Sequence, residues 1–133
     1  MNDVIRLFLP VFIFQIVTWP VGTFYNYKAL QYDYVVGVTT AVIIGNTVTT
    51  TIEVQNLRDG TLYVGEFNFD AYDSDTGKYI EKFSCLAGFQ VILEKNQTGK
   101  GNICWKLENP IENVTIVYSH SAFITNNFAW KVL

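Results

Sequence analysis

Residues 62 to 80, LYVGEFNFDAYDSDTGKYI, alternate with a period of two. Tyr63, Gly65, Phe67, Phe69 and Ala71 share one parity, and Val64, Glu66, Asn68 and Asp70 the other. Successive side chains of a strand point to opposite faces, so the run reads as a half-buried β-strand with an aromatic inner face. Asp73-Ser-Asp-Thr-Gly77 breaks it with turn formers, Gly77 being able to take a positive φ. Lys78 to Phe83 returns as a partner strand, which predicts a hairpin.

The same alternation recurs downstream. Val48, Thr50, Ile52 and Val54 face one way and Thr49, Thr51, Glu53 and Gln55 the other. Phe89, Val91 and Leu93 share a face, as do Ile103, Trp105 and Leu107, then Val114, Ile116 and Tyr118, and last Phe128, Trp130 and Val132. Residues 25 to 34 read as a polar and aromatic connector, and 96 to 101 as a loop with two glycines. Turn signals recur roughly every ten residues. The expected fold is all-β: an immunoglobulin-like antiparallel β-sandwich of seven to nine strands. The chain has 133 residues, half of them hydrophobic and 16 % aromatic, enough for one domain with a packed core. Two units are expected: an apolar N-terminal segment, 1–25, and a sandwich domain, 30–133.

Residues 4 to 24, VIRLFLPVFIFQIVTWPVGTF, are the most apolar stretch. Three readings stay open. A membrane anchor needs about 20 apolar residues, and Trp19, Phe24 and Tyr25 would suit an interface belt. A secretory signal needs a basic start and a small-residue cleavage site; Arg6 is offset by Asp3, and Trp19, Pro20 and Val21 stand where small residues belong. A β-strand suits the Val, Ile and Phe content, and Pro10 would kink a helix. Arg6 and Lys28 are too few to orient the segment in a membrane.

The candidate site residues are few. Cys85 and Cys104, the two cysteines, are expected to form a disulfide if the domain is exported. Two cysteines and one distant histidine do not make a metal set. Asp70, Asp73 and Asp75 beside Gly77 suggest calcium, but the EF-hand frame fails. With Gly77 at position six, Tyr72, Ser74, Thr76 and Phe83 fall at positions one, three, five and twelve. A solvated hairpin turn is the expectation there. His120 is the single histidine, so any histidine base would be this one, yet no Gly-x-Ser-x-Gly elbow accompanies it. It is expected in a loop, and Tyr32, Asp33 and Tyr34 as packing and turn residues. Asn96 and Asn113 head glycosylation sequons, Asn96 in a loop and Asn113 at the start of a strand. Trp19, Trp105 and Trp130 could line a sugar platform, but Trp105 and Trp130 follow core parity. Net charge is −3 with nine Lys and Arg, which gives no footprint for nucleic acid. No catalytic residue and no cofactor is expected.

Residues 47 to 101 resemble the small immunoglobulin-like domains of prokaryotic surface proteins of the FxLYD and related lipoprotein-type families. The matching pieces are Ile52-Glu-Val-Gln-Asn56, Phe67-Asn-Phe-Asp-Ala-Tyr-Asp73, Asp75-Thr-Gly77 and Leu86-Ala-Gly88. Ala71 stands where those families usually have leucine, and Ala87 where they often have proline. An apolar N-terminus followed by a β-sandwich is also similar in architecture to archaellum stator proteins of archaea. Neither resemblance implies catalytic residues. The functional expectation is a non-catalytic, membrane-tethered β-sandwich at the cell surface or outside the cell. It would meet the membrane through residues 4–24 and act by binding a protein partner or by self-assembly. A subunit of a surface filament, envelope or virion is the first alternative, and a small-ligand or carbohydrate-binding domain the second.

Overall fold

The computed structural model describes residues 17–84, 88–108, 113–120 and 127–132. Eleven strands follow one another: β1 (Trp19–Pro20), β2 (Phe24–Ala29), β3 (Tyr32–Ile44), β4 (Thr47–Asn56), β5 (Leu62–Gly65), β6 (Phe69–Asp73), β7 (Tyr79–Phe83), β8 (Gln90–Leu93), β9 (Thr98–Lys106), β10 (Val114–Ser119) and β11 (Asn127–Lys131). Nine form one sheet in the order β1-β11-β10-β6-β7-β9-β4-β3-β2, and β5 pairs with β8 apart from it.

The large sheet turns over at β7. This strand pairs with β6 through Ala71↔Ile80 and Tyr72↔Tyr79, and with β9 through Glu81↔Lys106, Lys82↔Trp105 and Phe83↔Cys104. The two halves then face each other and form a two-layer β-sandwich. Side chains stitch the facing layers: the Tyr25 hydroxyl donates to the Ala129 carbonyl at 2.8 Å, and the Trp130 indole donates to the Thr23 carbonyl at 2.8 Å.

Period-two alternation fills the space between. Val48, Thr50, Ile52 and Val54 on β4 are fully buried, as are Val114, Ile116 and Tyr118 on β10. Trp105 and Trp130 meet no solvent, which places both in the core. Each fully buried valine or isoleucine contributes about 1.5–3 kcal/mol relative to exposure. Thr50 is tolerated at such a position because its hydroxyl donates to the Ile103 carbonyl at 2.9 Å and accepts from the Trp105 indole at 3.4 Å.

The structure corrects several sequence expectations. The described residues form eleven strands rather than seven to nine, and the large sheet is mixed rather than antiparallel throughout. β1 runs parallel to β11, with Trp19 opposite Trp130. No hairpin joins these two strands, so no turn imposes an antiparallel direction. The supposed connector 25–34 is β2 and the start of β3, paired from Phe24↔Gly37 to Ala29↔Tyr32. Its polar look follows from edge position: β2 has one neighbour and exposes most of its residues.

The run 62–73 is two strands, not one. A 3-10 turn at Glu66–Asn68 separates them. The Gly65 amide donates to the Asn68 side-chain oxygen at 3.0 Å, and Lys82 Nζ donates to the Glu66 and Phe69 carbonyls at 2.9 and 2.7 Å. The inward parity switches across the turn. Leu62 and Val64 point in from β5 and Phe69 and Ala71 from β6, while Tyr63 and Phe67 are 63 % and 75 % exposed.

The glycines of 96–101 lie on a strand rather than in a loop. Gly99 and Gly101 belong to β9, where β8 and the residue before it cross very closely. A Cβ on Gly99 would stand 2.5 Å from Val91 Cγ1, and one on Gly101 2.8 Å from Phe89 Cδ1. The small sheet can rest on the large one only because these positions carry no side chain.

Residues 1–16 lie outside the described residues, so most of the 1–25 segment does too. From Trp19 onward the chain is already part of the sheet. Among the described residues no helix is long and apolar enough to cross a membrane.

Gly99→Val and Gly101→Val are each expected to lower the unfolding free energy by about 1–3 kcal/mol, the usual range for overpacking. Urea titration checks this, the midpoint falling with little change in slope.

Candidate functional site

At one end of the sandwich, five ring side chains meet between the layers. Tyr27 on β2 and Tyr34 on β3 are directly opposed in the strand register. Tyr32 shares the inward parity of Tyr34. Tyr118 points in from β10 of the facing layer, and His120 follows just past the end of that strand. The strands alone place four of the rings. The backbone of the fifth is held by Asn68, whose amide donates to the Ser119 and His120 carbonyls at 3.0 and 3.2 Å.

The Tyr34 hydroxyl is the hub. It hydrogen-bonds the Tyr118 hydroxyl and lies 2.7 Å from His120 Nδ1. The Tyr27 ring stacks on Tyr34, with centroids 5.1 Å apart, and on His120 at 4.6 Å. Tyr32 meets the imidazole edge-on at 4.4 Å. Tyr34 and Tyr118 are fully buried, while Tyr32 and His120 are half-exposed and form the solvent side.

Burial sets the proton positions. It pushes the Tyr34 hydroxyl far above the ordinary phenol range, with the Tyr118 hydroxyl beside it adding to the shift. Burial likewise raises Tyr118. It lowers His120, which favours the neutral imidazole. A neutral ring with its hydrogen on Nε2 accepts at Nδ1. With one proton on each phenol, that tautomer gives both hydroxyl protons an acceptor, Tyr118 donating to Tyr34 and Tyr34 to His120. The arrangement is a closed relay that ties one layer to the other. His120 Nδ1, the atom a general base would use, is committed to Tyr34.

The other sequence candidates are dispersed. Cys104 is buried on β9 with its sulfur 3.6 Å from the Thr49 hydroxyl, and Cys85 lies outside the described residues. Asn96 is exposed in the turn before β9, at φ 65°. Asn113 is half-buried, and its side-chain nitrogen donates to both Asp75 oxygens at 3.1 and 3.3 Å. The three aspartates of the hairpin are each engaged locally. Asp73 accepts from the Asp75 amide at 2.9 Å, Asp75 holds Asn113, and Asp70 lies 3.6 Å from Lys82 Nζ. Among the described residues, no three His, Cys, Asp or Glu side chains are grouped to hold a metal ion. Trp19 is 50 % exposed, whereas Trp105 and Trp130 are core residues, so the three do not form one platform.

Sequence reasoning placed His120 in a loop and Tyr32 and Tyr34 in the packing. It missed that they form one cluster with Tyr27 and Tyr118. The available signal was the shared inward parity of the tyrosines on β3 and β10. Asn56, part of the quoted FxLYD-like stretch, is structural. It is buried, and its side chain donates to the Gly60 and Leu93 carbonyls at 2.9 and 3.0 Å.

No protein-family model matches the chain, and no curated protein matches it. Solved structures do. The secreted protein MPT63 of Mycobacterium tuberculosis superposes with a TM-score of 0.65 at 15 % identity, over 86 % of this chain and 96 % of that one. The yjhA protein of Bacillus subtilis gives 0.60 at 13 % identity, over 86 % and 98 %. The ycdA protein of the same organism, provisionally described as a lipoprotein, gives 0.59 at 10 % identity, over 79 % of this chain and 37 % of that one. At such identities the likeness establishes the fold: an MPT63-like β-sandwich.

Tyr34→Phe removes the hub hydroxyl and leaves a buried Tyr118 hydroxyl without its partner. The expected loss is about 1–3 kcal/mol of stability. Tyr25→Phe, at a half-exposed hydroxyl bonded to one carbonyl, is expected to cost about 1 kcal/mol. Paired denaturation curves of the two variants check the order.

Proposed function

We propose that this chain is a non-catalytic β-sandwich module that works outside the cytoplasm, held at the cell surface by its apolar N-terminus, and acts through protein contacts. The carrying observation is the pairing of that apolar segment with the sandwich fold of a secreted protein. The ycdA likeness points the same way, as does the FxLYD resemblance with its immunoglobulin-like surface domains. The archaellum resemblance rests on architecture alone, and the matched solved structures named above are bacterial. Trp19, Pro20 and Phe24 are taken up in strands, so we assign the tether to residues before Trp19. A contact surface is offered by the small sheet, where Tyr63 and Ile92 stand opposite each other and are exposed. An alkaline phosphatase fusion after residue 133 is expected to be active, since the reporter folds only outside the cytoplasm, and fractionation should find the full-length chain with the membrane. An inactive fusion and a fully soluble cytoplasmic chain would remove this reading.

The Cys85–Cys104 disulfide belongs to the same reading. Cys104 is not a free thiol. Phe83, close before Cys85, stands opposite Cys104 in the register of β7 and β9. Closing a loop of this length stabilises by about 3 kcal/mol in the chain-entropy model. A non-reducing digest should yield a linked Cys85–Cys104 peptide that disappears on reduction; two cysteines alkylated without reductant would disprove it. Of the two sequons, Asn96 is the proposed acceptor, because it is exposed while the Asn113 nitrogen is bonded to Asp75.

A further inference from the structure

We propose that the Tyr34–Tyr118–His120 relay is an acid-sensitive latch: protonation of the imidazole releases the end of β10 from the β2–β3 hairpin. With the neutral ring's hydrogen on Nε2, Tyr118 can donate to Tyr34 and Tyr34 to His120 Nδ1, so each buried hydroxyl proton has an acceptor. A protonated ring carries a hydrogen on Nδ1 and can only donate. Tyr34 then accepts from the ring, and whichever way the two phenols turn, one hydroxyl hydrogen on a fully buried side chain is left without an acceptor. An orphaned buried donor opposes the closed arrangement.

The surroundings offer the charged ring little. From β2 it meets Tyr27, from β3 Tyr32 and Tyr34, and from β10 the hydroxyl chain through Tyr118. Asn68, from the 3-10 turn, bonds its carbonyl only. Among the described residues, no carboxylate contacts the ring. Asp33 is engaged with the Asn26 amide at 3.0 Å, on the opposite parity from Tyr32 and Tyr34, and Lys28 stands opposite it in the register. The stacked Tyr27 face gives an imidazolium some cation–π attraction, but it supplies no acceptor for the orphaned hydroxyl.

The sign follows from linkage. Burial lowers the histidine in the closed state, while an opened ring titrates near about 6.5. The latch is therefore fully favoured above about pH 6.5 and weakens as the pH falls from there toward the closed-state value. Each unit of depression is worth about a tenfold change in the closing equilibrium.

The test uses the full chain and the Hε1 ring proton of its single histidine, followed by NMR across pH. The midpoint of that signal is expected below about 6.5. Amide exchange in residues 24–34 and 114–119, corrected for the intrinsic pH effect, should be up to about tenfold faster at pH 5.5 than at 7.5. His120→Phe, which keeps the ring stack and cannot titrate, should lose that difference. A midpoint at or above 6.5, equal corrected exchange at the two pH values, or the same acceleration in His120→Phe would each overturn the latch. The first two readouts come from the unaltered protein, so a variant that fails to fold does not protect the proposal.

Discussion

The two halves of the large sheet close on each other, and the rest of the molecule follows from that closure. Strands β2 and β3 lie across from β10 and β11, with aromatic rings filling the gap. Trp130 is fully buried and hydrogen-bonds the chain between β1 and β2; Tyr25 stacks on Phe128 at 4.5 Å and bonds the Ala129 carbonyl. Without these contacts the curled sheet would leave its aromatic inner face open to solvent. The fold at β7 supplies the bend, but the ring contacts supply the reason to stay bent.

The closure also explains where the polar atoms went. A layer of tyrosines buys area and low flexibility, yet each brings a hydroxyl that must find a partner. Tyr25 finds a carbonyl. Tyr34 and Tyr118, deeper in, find each other and His120. The histidine is thus best understood as the terminal acceptor of a buried phenol chain. That role, and not a search for a catalytic partner, accounts for a lone histidine beside so many rings.

Much of the core was legible in the residues. Val48 to Val54, Ile103 to Leu107 and Val114 to Tyr118 alternate without interruption, and the structure buries the faces that this alternation names. The reading went astray where a local hydrogen bond outweighs the alternation. Tyr63 and Phe67 look like the inner face of a long strand, but the Asn68 side chain closes a turn and rotates everything before it by one place. Gly99 and Gly101 look like a loop, because a close strand crossing and a flexible loop both call for glycine. The cluster around His120 was hidden for a different reason. Tyr27 and Tyr34 are neighbours by hairpin, but Tyr118 and His120 arrive from a strand far along the chain.

Side-chain parity is a property of the extended backbone itself, so the order of residues sufficed to establish an all-β chain and most of its inward faces. Which strands neighbour one another is not written in parity. The path through β7, the crossing of β8 over β9 and the meeting of Tyr34 with Tyr118 depend on how two twisted layers fit, and only packing in three dimensions decides that. The chemistry of the ring cluster belongs to this second kind. A phenol and an imidazole have ordinary proton affinities until burial and each other's company change them.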